Sequence, residues 1–332
     1  MKHFFAVLTG WILLAGAVVS VEAQVKIKLG TLAPKDSSPH QSLKVMAEAW
    51  RKAPSGPQLI MFTDGTQGGE EDMVRRMRIG QLQAAMLTAS GLSHIDGSVA
   101  CLQMMPKMFR SLAELDYVSE KMRPLLERRL SEKGFVVLFW TDAGWIKFFS
   151  RRPALFPDEL KRQKLFALAG DNKAIEIMRA GGYQPIPLEA TDIVPGLKTG
   201  LIDAIPVPPF FALAGQIYDS APNMLDMNWV PLVGAAVVTK KTWEQLPPAT
   251  QAAMRVAAEK AGGEIRAQAR KEMVDSVAAM QKRGLNVTKL TPEADAAWDA
   301  LAQSTYPKVR GGVVPAELFD EVQKLLKEFR AK

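Results

Sequence analysis

The stretch GFVVLFWTDAGWIKFFSRRPALFPDELKRQKLFALAGD, residues 134–171, decides the predicted fold. It begins with a buried-strand pattern at 135–140, followed by a short polar break at 141–144 and a second apolar run at 145–149. A helix start follows, and then another strand at 164–168. Strand, crossover and strand in this order predict the junction between two α/β lobes. Strand ends at such junctions are where open sheets bind small ligands.

The rest of the chain alternates strands and helices in the same way, with no internal repeat. Strands are predicted at 25–29, 58–62, 83–88, 185–188, 202–206, 232–238 and 285–287. Helices are predicted at 39–51, from 70 onward, and at 112–133, 172–181, 191–200, 248–283, 292–303 and 315–330. This alternation predicts an α/β protein with mostly parallel sheets.

Composition indicates a globular chain of two domains. The 332 residues are 48% hydrophobic, which is typical of folded proteins. The formal net charge of +7 comes from Lys and Arg scattered among Asp and Glu. Nucleic-acid binding would require a clustered basic stripe with interleaved aromatic residues, so no nucleic-acid partner is expected.

The N-terminus has the three parts of a secretory signal peptide. Residues 1–3 are short and basic, residues 4–19 are apolar, and small residues precede a cleavage position after Ala23. The alternative is an uncleaved anchor, but the apolar run is shorter than the ~20 residues that a membrane span prefers. We therefore predict a signal peptide at 1–23 and a periplasmic mature protein.

The glycine-rich loop at 63–69 resembles a phosphate-binding loop only superficially. It leads into a helix that begins with Glu70, Glu71 and Asp72. Three carboxylates in the first turn complement the helix dipole themselves and would repel an anion. No lysine stands where a phosphate-binding loop would place one, so a nucleotide cofactor is not expected.

Catalysis is also not expected. The histidines of the mature chain, His40 and His94, lie outside any metal-binding spacing. Ser90 is near His94 in sequence, but no acid can be assigned to complete a triad. Cys101 lies in an apolar run, where a buried small hydrophobic role is expected. The sequence thus predicts no catalytic residue, no metal site and no cofactor.

The order of several motifs resembles the DctP-type substrate-binding proteins of tripartite ATP-independent periplasmic (TRAP) transporters. The resemblance covers nearly the whole mature chain, and its specificity lies in the order and spacing of the motifs. Its carriers are the segments at 30–40, 64–70, 79–82, 134–135, 139–140, 157–161, 194–203 and 238–247.

The resemblance implies a two-lobe periplasmic-binding-protein fold with a long helix that braces both lobes. The implied division is lobe I at 24–141, lobe II at 142–229, a return strand in lobe I at 230–250, the bracing helix at 251–284, and a C-terminal strand and helices at 285–332. The implied function is capture of a small molecule in the cleft and its delivery to the membrane permease subunits of a TRAP transporter.

Three positions depart from the family pattern in the same direction. Members hold a carboxylate with an arginine on the strand after the crossover helix, and that position is Phe166 here. A second arginine position corresponds to Trp145, and an asparagine position corresponds to Val207. Without an arginine a buried carboxylate would lack its usual bidentate partner. We therefore expect an apolar or aromatic-bearing ligand that contacts these three residues and Phe210.

Two alternatives to this ligand prediction stay open. Phe166 could simply fill the core of a lobe that no longer binds a ligand. Lys164 or Lys173 could supply the missing positive charge from a neighbouring position.

Five polar residues that follow strands or lie in loops are further candidates for the cleft: Gln67, Ser90, Asp142, Asp171 and Asn172. Each is also a plausible cap or turn residue, and Asp171 in particular could cap the helix that follows Gly170.

The function keeps one alternative of another class, an envelope scaffold or lipid-binding carrier on the same fold. Within the family, the chain more closely resembles an atypical subgroup with apolar clefts that lacks the carboxylate-binding arginines, which implies a helical-repeat periplasmic protein as a possible further partner.

Overall fold

The computed structural model describes residues 24–332, so the predicted signal peptide at 1–23 lies outside the described residues. Over the described range no helix is both long enough and apolar enough to cross a membrane. The strands are β1 (Lys26–Thr31), β2 (Gln58–Phe62), β3 (Ala84–Thr88), β4 (Phe135–Trp145), β5 (Lys147–Ser150), β6 (Lys164–Leu168), β7 (Gln184–Leu188), β8 (Ala204–Val207), β9 (Asn223–Asp226), β10 (Pro231–Thr239) and β11 (Asn286–Lys289). The helices are α1 (Ser38–Lys52), α2 (Glu70–Arg78), α3 (Ala89–Ser93), α4 (Leu112–Glu132), α5 (Pro157–Lys161), α6 (Asn172–Ala180), α7 (Ile193–Thr199), α8 (Pro209–Ala214), α9 (Lys240–Glu244), α10 (Pro248–Gln281), α11 (Pro292–Gly312) and α12 (Ala316–Arg330).

Two sheets form the centres of two lobes. Lobe I contains the five-stranded sheet β2-β1-β3-β10-β4, and lobe II contains the six-stranded sheet β11-β9-β5-β8-β6-β7. Five of the nine strand pairs are parallel. The four antiparallel pairs all involve β10 or β5. These two strands follow the points where the chain crosses between lobes, which explains why they run against their neighbours.

The chain crosses between the lobes on two adjacent strands. Strand β4 leaves lobe I and is followed after Ile146 by β5 in lobe II, while β10 returns to lobe I. Where the two crossings meet, the Ile146 N–H donates to the Val230 carbonyl at 2.9 Å. This backbone bond ties the two crossings together between the sheets.

The polar residues at 141–144 do not break the strand, contrary to the prediction. Thr141 and Asp142 pair with Gly234 and Val233 of β10, so β4 continues to Trp145. Backbone pairing to a neighbouring strand satisfies the same groups whether the side chains are polar or apolar.

Helix α10 spans 34 residues and packs against both lobes. Its first half contributes to the core with the lobe I sheet, and near its end Met280 joins the lobe II core. Gly262 lies where the helix meets β4. A Cβ atom at Gly262 would lie 2.7 Å from three atoms of the Phe139 side chain, so the glycine permits this close packing.

The C-terminal helices complete both lobes. Trp298 of α11 is fully buried in a lobe II cluster, where its ring stacks on Phe148 with centroids 5.6 Å apart. Helix α12 buries Phe319 and Val322 against α4 and the short 3-10 helix Gly97–Leu102 of lobe I. The last 40 residues therefore join the two lobes a further time.

Candidate functional site: the interlobe cavity

A cavity of about 590 Å³ lies between the lobes. Three strands end at its wall: Thr88 ends β3, Leu168 ends β6 and Val207 ends β8. Ile146 and Val230, at the crossing between the lobes, also line it. The volume falls within the ~300–1,000 Å³ typical of pockets for small organic ligands.

The wall is mostly apolar and comes from three parts of the chain. Lobe I and the crossing strands contribute Leu32, Pro34, Met104, Pro106, Ile146, Trp229, Val230 and Leu232. Lobe II contributes Phe166, Ala167, Leu168, Ala174, Ile177, Met178, Ile193, Val194, Pro206, Val207, Pro208, Phe211, Ala214 and Ile217. Helix α11 adds Leu301 and Val309, and Val313 follows at its end.

Across residues 24–332, no lysine, arginine or histidine lines this cavity. Buried cations elsewhere already have carboxylate partners. Lys147 Nζ lies 2.7 Å from Asp226, and Arg270 of α10 lies 2.7 Å from Asp142 and 2.6 Å from Asp116. Hydrogen bonds to Asp116, followed by those to Asp142, raise the pKa of Arg270 further above its ordinary value. The described wall therefore offers no side-chain cation to an anionic ligand.

Two polar groups of the wall bind each other across the lobes. Ser90 Oγ of lobe I donates a 2.7 Å hydrogen bond to Asp171 Oδ2 of lobe II, so this bond closes one edge of the cavity. Asp171 also caps α6, because its Oδ1 accepts the Ala174 N–H at 3.2 Å. Its functional and capping roles, which the sequence left as alternatives, are thus compatible.

A buried carboxylate lies behind this edge. Glu70 accepts bonds from the Thr88 N–H and hydroxyl, each at 2.5 Å, and from the Gly91 N–H at 3.0 Å. Burial is the main cause that raises the pKa of Glu70, and the negative charge of Asp171 raises it further, while the three hydrogen bonds oppose the shift. Glu70 therefore orders the end of β3 without facing the cavity.

Acidic residues of the two lobes approach each other next to the lining residues Ala190 and Thr191. Partial burial raises the pKa of Glu189, and nearby Asp72, Asp192 and Glu71 add to the shift. This cluster of acidic residues would disfavour an anionic ligand nearby.

Comparison with known proteins identifies the family. The family model described as bacterial extracellular solute-binding protein, family 7 (DctP), matches residues 29–311. The chain belongs to this family. The predicted membership of the DctP-type family of TRAP solute-binding proteins is therefore confirmed. The prediction that the protein is a solute receptor and not an enzyme is confirmed as well. In agreement, burial raises the pKa of the Cys101 thiol to about 12, which leaves it unreactive.

The relatives are distant in sequence but similar in fold. The solute-binding protein is 25% identical over 320 residues to the 2,3-diketo-L-gulonate-binding periplasmic protein YiaO of Escherichia coli K12, covering 93% of this chain and 96% of the relative. A TRAP periplasmic solute-binding protein from Ralstonia eutropha H16, solved with (S)-2-acetolactate, superimposes with a TM-score of 0.84 at 21% identity and covers 91% of this chain and 99% of its own. One from Xanthobacter autotrophicus Py2 with β-D-galacturonate gives 0.83 at 20%, with the same coverage. The predicted two-lobe fold is confirmed.

The structure brings four of the nine predicted site residues of this receptor to the cavity wall: Phe166, Val207, Ser90 and Asp171. Phe166 and Val207 do so because β6 and β8 end there. The two lysines that were candidates for a replacement charge do not line the cavity. Lys164 donates to the Gly200 carbonyl, and Lys173 is exposed on α6.

The other five predicted residues lie outside the lining. Trp145 packs into the lobe I cluster that includes Met105 and Phe109. Asp142, only 4% exposed, holds Arg270 instead. Phe210 is buried on α8 and its neighbour Phe211, with ring centroids 4.4 Å apart, lines the cavity in its place.

Gln67 and Asn172 complete this set. Gln67 is half-buried in the loop before α2, and Asn172 is exposed at the start of α6. Neither side chain reaches the wall.

Several wall residues were not predicted from the sequence. They include Gln103, Met104, Trp229 and the face of α11 that carries Val309. No local motif marks them, because helix packing and the return of β10 bring them to the cavity.

Proposed function

We propose that this periplasmic solute receptor captures a neutral, largely apolar small molecule in the interlobe cavity and delivers it to the membrane permease subunits of a TRAP transporter. The observation that carries the proposal is the absence of any cationic side chain from the described wall. Family membership supports the receptor role.

Charge balance favours a neutral ligand over an organic acid. A carboxylate in this cavity would lose hydration without gaining an ion pair, at a cost of several kcal/mol. The structural neighbours named above were solved with galacturonate and acetolactate, which are both acids. Where the family pattern has an arginine, this chain has Phe166, 7% exposed on the wall. The proposed ligand therefore differs in charge from those of the neighbours.

The first test is mass spectrometry of what co-purifies with the exported protein, by native spectra and then by organic extraction. A neutral lipid-like, sterol-like or aromatic compound is expected. A bound small organic acid would refute the proposal.

A substitution tests the role of charge directly. Phe166→Arg places a cation at the wall and is expected to give measurable galacturonate or succinate binding by isothermal titration, while the wild type gives none. Phe166→Leu is the matched control, because it changes the side-chain size without adding charge. Micromolar succinate binding by the wild type would contradict the charge argument.

The alternative of an envelope scaffold or lipid-binding carrier predicts different behaviour. A transport receptor should close on its ligand, and the segments 24–141 and 142–229 are the moving units that we propose. Small-angle scattering that shows no compaction with the co-purified compound would favour the scaffold. Co-purification with a helical-repeat periplasmic protein would identify the further partner.

A further inference from the structure

Gln103 is a buried polar side chain on the cavity wall that is held at one end only. It follows the 3-10 helix Gly97–Leu102 and is 6% exposed. Its Oε1 accepts the backbone N–H of Val233 at 2.9 Å. Because only the amide oxygen can accept from an N–H group, this bond fixes which end of the amide is oxygen and which is nitrogen.

The Val233 bond arises from an irregularity in the sheet. The pairing of β10 with β4 shifts register between Pro231 and Val233. Gln103 supplies the acceptor beside this shift, so its side chain cannot rotate without leaving a buried N–H group unpaired.

The other end of the amide is available. Among the described residues, Gln103 Nε2 donates to no protein acceptor, although Gln103 lines the cavity. Polar groups inside proteins are normally paired, and an unpaired donor on a cavity wall is available to an acceptor among the cavity contents.

Three of the wall hydroxyls already donate within the protein, but the buried hydroxyl of Tyr183 has no hydrogen-bond partner among the described residues. Thr88 donates to Glu70, Ser90 donates to Asp171, and Thr305 donates to the Ala302 carbonyl at 2.7 Å. The Tyr183 hydroxyl and the indole N–H of half-buried Trp229 are therefore competing donors, since neither has an acceptor within the described chain.

We propose that Gln103 Nε2 donates a hydrogen bond to an acceptor oxygen of the ligand and thereby sets its specificity. This inference rests on the proposed function and narrows it. The ligand is a neutral, mostly apolar molecule with a carbonyl or ether oxygen directed at Gln103. A saturated hydrocarbon group at the same place would leave the amide unpaired and bind more weakly.

The test uses two probes that differ only at the acceptor, benzophenone and diphenylmethane. Their dissociation constants are measured by tryptophan fluorescence titration. The quantity compared between variants is the dissociation constant of diphenylmethane divided by that of benzophenone, called the hydrocarbon-to-ketone ratio. The comparison cancels the different water solubilities of the probes, because both are measured against every variant.

Gln103→Glu keeps an oxygen for Val233 and replaces the donor by a second acceptor. Gln103→Met removes the donor without adding charge. Each is expected to lower the ratio about three- to tenfold, the effect of one hydrogen bond. Gln81→Glu, an exposed change of the same chemistry, should leave the ratio unchanged.

An unchanged ratio in Gln103→Met would overturn the assignment while leaving the apolar cavity intact. A ratio that falls in Trp229→Phe or in Tyr183→Phe but not in Gln103→Met would assign the donor to that residue instead. Failure of the wild type to bind either probe would overturn the proposed function and this inference together.

Discussion

Two adjacent glycines of α10 should respond in opposite ways to the same substitution. A Cβ atom at Gly262 would lie 2.7 Å from Cβ, Cγ and Cδ2 of Phe139, whereas one at Gly263 would have no atom within 4 Å. Phe139 is 1% exposed in the middle of β4, which pairs with β10, so it has little room to move. The bracing helix would have to separate from the sheet.

The magnitudes follow from this geometry. Ordinary contact begins near 3.4 Å, so Gly262→Ala requires a displacement of about 0.7 Å, the difference between 3.4 and 2.7 Å. Overpacking of this kind costs about 1–3 kcal/mol. Replacing glycine by alanine inside a helix gains about 1 kcal/mol. Gly262→Ala should therefore lower the free energy of unfolding by about 0–2 kcal/mol, and Gly263→Ala should raise it by about 1 kcal/mol.

Urea unfolding followed by far-UV circular dichroism would measure both variants against the wild type. The informative quantity is their difference, about 1–3 kcal/mol, because the helix-propensity gain is common to both. If the two variants unfold at the same urea concentration, the close contact between α10 and β4 does not exist as described.

Three further predictions concern charged and hydrogen-bonded groups. Burial raises the pKa of Glu70 above 4.5, so the protonated carboxyl stabilises the native state most below pH 4.5, and this contribution is lost as the pH rises through the raised pKa. Glu70→Gln should therefore flatten this part of the pH dependence of the urea midpoint. Parallel curves for the variant and the wild type would contradict the prediction. Arg270→Met should cost about 3 kcal/mol of unfolding free energy, because it leaves the buried carboxylate of Asp142 without its cation; thermal and urea unfolding would show this, and wild-type stability would refute it. Ser90→Ala removes the bond to Asp171 between the lobes and should weaken binding of the co-purified ligand about tenfold by isothermal titration, with an unchanged affinity arguing against a role in closure.

Much of the fold could be predicted because local patterns and packing agree. The strand at Gln58–Phe62 and the start of α2 at Glu70 were predicted to the residue. Strand β9 was missed because Asn223–Asp226 is too short for its alternation to be recognised. Helix α8 was missed for the same reason, as it has only six residues.

The site was less predictable because its wall is a product of tertiary packing. Phe166 and Val207 were found because they occupy the positions where the resembled family has an arginine and an asparagine. Phe210 was chosen over Phe211 because the sequence does not fix the rotation of a one-turn helix about its axis. Gln103 carries no signal of its own, because its partner Val233 lies 130 residues away.

The contribution of α11 to the cavity has a consequence for the order in which this receptor acquires activity. The lining extends from Leu32 to Val313, so no shorter stretch of chain contains a complete binding surface. A folding intermediate that lacks α11 would have two sheets but an incomplete site. Ligand binding therefore requires that the chain from Leu32 to Val313 has folded, and saturating ligand stabilises both lobes and α11 together.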